Sequence, residues 1–117
     1  MRDAPLEQDV LAATVTEDDY ALWELVGMAR ARSADASEPE LNAHAREALE
    51  SLLRDGLVRV YRREGEDEFP VTGLALSHAL ADDRSWEVAA FDEGLVVAST
   101  PEGERVYKEL QATLPEG

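Results

Sequence analysis

The sequence predicts a single α+β domain with four helices and a small antiparallel sheet of two or three strands. The first observation behind this prediction is the stretch 37–63, in which a helical pattern of apolar residues ends at a glycine and continues as a strand. The second is the stretch 94–113, in which a short apolar run precedes a Thr-Pro pair and another helical pattern. A chain of 117 residues is long enough to form one domain with its own core.

A helix is predicted at the centre of the chain, over residues 38–55. Ser37 is placed to cap its first turn, because a serine followed three residues later by a glutamate, here Glu40, forms a capping box. Gly56 follows the helix, where glycine is favoured because it adopts a positive φ without a Cβ clash. A strand is predicted next, over 57–62. The apolar stripe of the helix consists of Leu41, Ala45, Ala48, Leu49, Leu52 and Leu53.

An earlier helix is predicted over residues 17–32. Thr16 is placed as its N-cap with Asp19 three residues later, and the acids at 17–19 suit the positive end of a helix dipole. Residues 1–15 give a weaker apolar pattern, so we expect either a weakly ordered lead-in or a short helix there.

The second half of the chain begins with a polar turn at 64–68, with the sequence EGEDE. Residues 68–71 can add an edge strand, in which Pro70 limits pairing because it has no backbone N–H. Thr72 and Thr100 are each placed to cap a helix. The remaining predicted elements are a helix over 73–82, a strand over 94–99 and a helix over 101–113.

Acidity dominates the composition, with 26 acidic and 11 basic residues and a net charge of −15. The local balance is positive in the stretch 44–63, which holds three acids and five arginines. Elsewhere the charge should repel phosphate, since nucleic-acid binding rests largely on Lys and Arg neutralising phosphates. Solubility or adaptation to a salt-rich host is an alternative reason for the acidity. No apolar run resembles a signal or a membrane span, so a cytoplasmic protein without membrane contact is expected.

Two motifs carry a resemblance to a known family. The first is Leu-x-x-Leu-Leu-x-x-Gly-Leu-Val over residues 49–58, and the second is Thr-x-x-Gly-x-x-x-Tyr over residues 100–107. Together they resemble the winged-helix regulators of the MarR and PadR kind. The resemblance implies that the first motif ends a recognition helix and opens the first wing strand. It also implies that the second motif follows the second wing strand and opens the next helix.

The chain departs from this family in two places. The family usually has a short helix between its first helix and the recognition helix, and residues 33–37 leave little room for one. The family usually has a short basic wing, whereas residues 63–93 form an acidic insertion in the wing region. The sequence therefore supports a winged-helix-like domain more strongly than it supports DNA binding.

The function expected from these features is non-enzymatic, of a regulatory or protein-interaction type. The expected partner is a protein, with a basic protein as one option, and DNA is disfavoured by the charge. The alternative is a DNA-binding transcriptional regulator of the MarR and PadR kind, which would use the central helix and the strip Arg54–Arg63. Either protein could act as a monomer or as a homodimer.

Candidate contact residues for DNA or for a partner lie on the central helix and on the strand after it. The simpler interpretation of the arginines is that they balance neighbouring acids, as Glu50 and Arg54 would one helical turn apart. Tyr20 and Trp23 are candidates for a dimer interface, with core packing as the alternative. The candidate contact residues are Asn42, His44, Arg46, Arg54, Arg59, Arg62 and Arg63.

No catalytic, cofactor-binding or metal-binding residue is predicted. His44 and His78 lie on different predicted elements, and neither has a serine and an aspartate placed to form a nucleophile with its base. The acids at 66–68 and the pair 82–83 lack the regular spacing of a calcium-binding loop. We therefore expect no enzyme, no cofactor and no metal.

Overall fold

The structure is a computed structural model that describes residues 4–17, 19–87 and 93–113. In this part of the chain the fold is α+β, with five α-helices and a four-stranded antiparallel sheet. The elements in chain order are α1 (Ala4–Thr16), β1 (Tyr20–Ala21), α2 (Leu22–Arg32), α3 (Glu38–Arg54), β2 (Val58–Glu64), β3 (Asp67–Pro70), α4 (Gly73–Ala81), a 3₁₀ turn (Asp83–Trp86), β4 (Glu93–Ser99) and α5 (Pro101–Thr113).

The sheet has the strand order β1-β4-β2-β3. Strands β2 and β4 form its centre, with Val58 opposite Ser99 and Glu64 opposite Glu93. A hairpin connects β2 to the edge strand β3, and β1 forms the other edge. The three predicted strands are confirmed within one or two residues at each end. The short strand β1 was not predicted.

The main core lies between the helices and one face of the sheet. Because side chains alternate along a strand, Val58 and Val60 of β2 point to this face and pack with helical residues. Helix α3 packs against both α1 and α2. The fully buried residues of this core are Leu6, Val10, Leu22, Leu25, Leu41, Ala45, Ala48, Leu49 and Val97.

Helix α3 begins and ends as its sequence predicts. The backbone amide of Glu40 donates to the hydroxyl of Ser37 at 3.4 Å. At the other end Gly56 has φ of +74°. The amide of Leu57 donates to the carbonyl of Leu52, and that of Gly56 to the carbonyl of Leu53, so the last turn closes as a Schellman motif.

Helix α5 is fastened to the turn that ends α3. The backbone amide of Thr100 donates to the carbonyl of Leu57 at 3.1 Å. The Thr100 hydroxyl donates to the carbonyl of Gly56 at 2.7 Å and accepts from the amide of Gly103 at 3.0 Å. A Cβ at Gly103 would lie 2.0 Å from the Leu57 carbonyl oxygen, so the close approach needs glycine. The two motifs noted in the sequence therefore meet in space.

The predicted helix over 17–32 starts too early. Thr16 ends α1 instead of capping α2, and its hydroxyl donates to the carbonyl of Ala12 at 2.7 Å. Strand β1 then occupies residues 20–21, where Tyr20 pairs with Val97. This long-range pairing overrides a local pattern typical of a helix start. Of the acids assigned to the first helical turn, residue 18 lies outside the described residues.

Residues 4–16 form a helix, so the alternative of a short helix is confirmed for this part of the chain. Its apolar pattern is weak because two of its buried side chains, Glu7 and Thr14, are polar. The Thr14 hydroxyl is satisfied locally, since it donates to the carbonyl of Leu11 at 3.0 Å.

The insertion expected over 63–93 contains β3, α4 and the 3₁₀ turn, and its residues 88–92 lie outside the described part. Helix α4 is confirmed, but the Thr72 side chain makes no capping hydrogen bond to it. Trp86 is buried, and its indole N–H donates to the carbonyl of Leu80 at 2.9 Å. Leu74, by contrast, is 78% exposed.

Candidate partner-binding surface

Of the four contact residues proposed from the sequence on α3, Arg54 is exposed and the other three are half-buried. These three are Asn42, His44 and Arg46. The Arg46 side chain is 31% exposed and forms an ion pair with Asp83 of the 3₁₀ turn, with 3.6 Å between Nη2 and the carboxylate. Its Nε is buried without a hydrogen-bond partner among the described residues. Arg46 therefore links α3 to the 3₁₀ turn, and it is not presented to a groove.

The outward face of α3 is acidic instead. Residues spaced by three and four along a helix lie on one side of it. Glu47 lies seven residues, or two helical turns, after Glu40, and Glu50 and Arg54 follow at spacings of three and four, so these four exposed residues form one row. In the part of the chain that the structure describes, neither Glu50 nor Arg54 takes part in an ion pair, so the expected pair between them is not formed. We call Glu40, Glu47 and Glu50 the acidic face of α3.

The arginines of β2 are divided between the two faces of the sheet. Arg59 and Arg63 lie on the face opposite the main core, together with Tyr61, while Arg62 lies on the other face. The guanidinium carbons of Arg59 and Arg63 are 5.1 and 5.6 Å from the centroid of the Tyr61 ring. The strip predicted from Arg54 to Arg63 is therefore not one continuous surface.

Tyr61 is the centre of a small second core on the outer face of the sheet. It has no exposed surface and packs with Val96 and Ala98. Its hydroxyl donates to the carboxylate of Asp19 and accepts from Arg63 at 2.8 Å. Burial first, and then the hydrogen bond to Asp19, raise the pKa of Tyr61. The phenol therefore stays protonated and holds the segment before β1 against β2.

Arg63 is committed to this second core. Its guanidinium lies 3.3 Å from the Asp19 carboxylate and 3.5 Å from that of Glu68 on β3. Its side chain is 26% exposed. Arg54, Arg59 and Arg62 are exposed and have no ion-pair partner among the described residues. Of the candidate contact arginines, these three could therefore bind an external anion, but they do not lie on one surface.

A surface hollow of about 560 Å³ lies between α2, α3 and the 3₁₀ turn. Both tryptophans of the chain, Trp23 and Trp86, line it. Each is followed by a glutamate, and Glu24 and Glu87 line the hollow as well. We call this site the tryptophan hollow. Its volume lies within the range of about 300–1,000 Å³ that is usual for ligand sites.

The two residues proposed for a dimer interface are both half-buried. Tyr20 packs against the main core, and its hydroxyl donates to the carboxylate of Glu17. Trp23 lines the tryptophan hollow and a smaller neighbouring hollow of about 280 Å³, which also contains Arg62. Core packing explains Tyr20, whereas Trp23 borders on surface depressions.

The acids and histidines considered for metal binding form no metal site among the described residues. Within residues 4–17, 19–87 and 93–113, no three or more His, Asp and Glu side chains are grouped so that they could hold a metal ion. His78 lies exposed on α4 and His44 half-buried on α3. No helix in the same ranges is long and apolar enough to cross a membrane.

Reasoning from sequence did not single out Glu24 and Glu87 as site residues. A signal was available, because the dipeptide Trp-Glu occurs twice, at 23–24 and 86–87, in a chain with only two tryptophans. The dipeptide alone does not show that the two copies meet, since α3 separates them in the chain. The packing of α2 against α3 and the 3₁₀ turn brings them together.

Comparison with protein-family models, with curated proteins and with solved structures finds no match to this chain.

Proposed function

We propose that this protein is a non-enzymatic interaction module built on a winged-helix-like scaffold, and that it binds a basic protein partner. The acidic face of α3 is the observation that carries the proposal. In the winged-helix regulators that the sequence resembles, the helix at this place is the recognition helix. A row of carboxylates there repels phosphate and attracts cationic side chains.

The order of the elements supports the scaffold. Helix α1 precedes α2, so α2 occupies the place of the short helix that the family has before its recognition helix. Strands β2 and β4 pair as two wing strands would, and β1 joins them at the edge. The contact of Thr100 and Gly103 with the end of α3 gives a physical reason for both motifs.

The charge distribution supports the choice of partner. Two of the arginines that were candidates for DNA contact form ion pairs within the protein. Arg46 of α3 pairs with Asp83, and Arg63 of β2 pairs with Asp19 and Glu68. On the acidic face of α3 a basic partner would therefore meet attraction, whereas a phosphate backbone would meet repulsion.

The test is fluorescence anisotropy of a labelled oligoarginine peptide and of a labelled mixed-sequence DNA duplex, each titrated with the protein at low salt. We expect binding of the peptide and none of the duplex. The double variant Glu47→Lys/Glu50→Lys should weaken peptide binding by about tenfold, because it places two cations where two anions attracted the peptide.

The matched control is Glu66→Lys/Glu104→Lys, which changes the net charge equally at two exposed sites away from α3. It should weaken peptide binding by only about twofold when both double variants are compared at about 0.1 M salt, since charges beyond about 10 Å are largely screened there. Equal losses in both double variants would mean that net charge alone attracts the peptide, and that α3 is not the binding face.

A DNA-binding regulator is the second candidate. It is favoured by Arg54, Arg59 and Arg62, which are exposed and have no ion-pair partner among the described residues. It predicts that the wild-type protein binds the duplex and that its affinity falls steeply as salt rises. Arg54→Ala and Arg62→Ala should then each reduce the salt dependence, because each removes about one phosphate contact. Such a result would replace the first proposal.

A further inference from the structure

We infer that the tryptophan hollow receives an arginine side chain of the basic partner. The inference rests on the proposed function and deepens it, because it names the group that is bound and the place that binds it. It starts from three observations on one depression of the surface: two indoles, two carboxylates without a partner among the described residues, and an excess of negative charge.

The indoles come from two different elements. Trp23 lies on α2 and is half-buried, so part of its ring is open to the hollow. Trp86 lies on the 3₁₀ turn and is 4% exposed. The hydrogen bond from its indole N–H to the carbonyl of Leu80 fixes the orientation of the ring. A rigid aromatic wall of this kind binds a cation at a low entropic cost.

The carboxylates give the hollow its charge. Glu24, Glu38 and Glu87 line it together with Arg30, which leaves a formal charge of −2. Arg30 is already paired with Glu38. Glu24 and Glu87 form no ion pair or side-chain hydrogen bond with any of the described residues. Two anionic groups are therefore available beside the tryptophans. Both the indole rings and the carboxylates favour a cation as the ligand.

A guanidinium fits this combination better than an ammonium does. It is planar, so it stacks on an indole, and its N–H donors can reach carboxylates at its edge while it stacks. Asn42, which also lines the hollow, adds an amide oxygen as a further acceptor. The hollow is large enough to admit the side chain together with adjoining backbone of the partner.

Two other depressions among the described residues offer no such match. The smaller hollow on the other side of Trp23 contains Arg62 and Arg84 as well as Asp82 and Glu87, so its charges oppose one another. The groove between α1, α3 and α5 contains Leu11, Leu52 and Leu110 but no aromatic residue, and nothing in the structure indicates what would cover it.

The experiment uses the two tryptophans as reporters, since both lie in the proposed site. The intact protein is titrated with an unlabelled oligoarginine peptide while tryptophan emission is recorded, and anisotropy of the labelled peptide is recorded in parallel. We expect the emission to change with the same midpoint as the anisotropy. An oligolysine peptide of equal length should change the emission less at equal saturation.

The variants are Glu24→Gln/Glu87→Gln and, as the matched control, Glu66→Gln/Glu104→Gln. Both remove two negative charges and keep the size of the side chains. Loss of the two carboxylates in the hollow should weaken peptide binding by about five- to tenfold, and the control by less than about twofold.

The outcomes separate the two proposals. If the peptide binds but the emission stays constant and both double variants behave alike, the tryptophan hollow is not the site, and the proposed function still stands. If the emission follows binding and the Glu24→Gln/Glu87→Gln variant alone is weakened, the inference holds. If no peptide binds at low salt, both the inference and the proposed function are overturned.

Discussion

Helices α5 and α4 both follow a threonine, but the two helices are held to the fold in different ways. Thr100 bonds to Gly56 and Leu57 before α5 begins, and its hydroxyl also accepts from the first turn of the helix. Thr72 makes no side-chain hydrogen bond to α4. The start of α5 is thus fixed by hydrogen bonds to the turn between α3 and β2, while the Thr72 side chain gives α4 no such bond.

At the C-terminal ends the order is reversed, since α4 is buried there and α5 is more exposed. In α4 it is Leu80, close to the end of the helix, that is buried, and Trp86 is bonded to it. In α5, Leu110 is 36% exposed. The comparison teaches that a threonine before a helix contributes to stability only where other backbone groups lie within hydrogen-bonding distance of its hydroxyl. Substitutions at the two helix starts should therefore differ in cost.

Gly103→Ala is expected to have the largest effect. The added Cβ would lie 2.0 Å from the Leu57 carbonyl oxygen, and the helix cannot retreat without losing the bond from Thr100 to Leu57. We expect a loss of about 3 kcal/mol in the free energy of unfolding, at the upper end for overpacking. Urea unfolding followed by circular dichroism measures it.

Gly27→Ala is the matched control, because Gly27 lies in α2 with no atom within 4 Å of the added Cβ. The same substitution there should stabilise the protein by about 0.5–1 kcal/mol, the usual difference between alanine and glycine inside a helix. If Gly103→Ala proved neutral or stabilising as well, α5 would not be docked on Leu57 as described.

Thr100→Val is expected to have an intermediate effect. Valine keeps the shape of threonine but removes the hydroxyl that joins Gly56 to Gly103. We expect a loss of about 1–2 kcal/mol, the cost of removing a capping side chain. The same substitution at Thr72, which lacks these bonds, should change stability by less than about 0.5 kcal/mol. Equal losses at both sites in thermal unfolding would remove the distinction between the two helix starts.

Much of the fold follows from local sequence patterns. Helix α3 could be placed because its cap, its apolar stripe and its terminal glycine agree with one another. Strand β1 could not, since two residues are too few to show an alternating pattern and their partners, Val96 and Val97, lie far away in the chain. Because β1 was not predicted, the start of α2 was placed too early, at a nearby Thr-x-x-Asp pattern that is typical of a helix start.

The candidate surface could be predicted only in part. That Arg62 lies on a different face from Arg59 and Arg63 follows from the alternation of a strand, so this division was already contained in the sequence. The ion pair between Arg46 and Asp83 depends on where the 3₁₀ turn packs, and no local sequence pattern indicates that position. For the same reason the meeting of Trp23 and Trp86 could be seen only in the folded chain.

Leu74→Gln is expected to have the smallest effect, although leucine is a typical core residue. Leu74 is 78% exposed, so its replacement removes little apolar surface from the interior, and the two residues have similar helix propensities. The free energy of unfolding should change by less than about 0.5 kcal/mol. Leu80→Ala, in the same helix but at a side chain 4% exposed, should cost about 2–4 kcal/mol. A comparable loss at Leu74 in the same urea titration would show that the start of α4 is packed against the fold after all. The starts of α4 and α5 would then differ only in the hydrogen bonds that Thr100 forms.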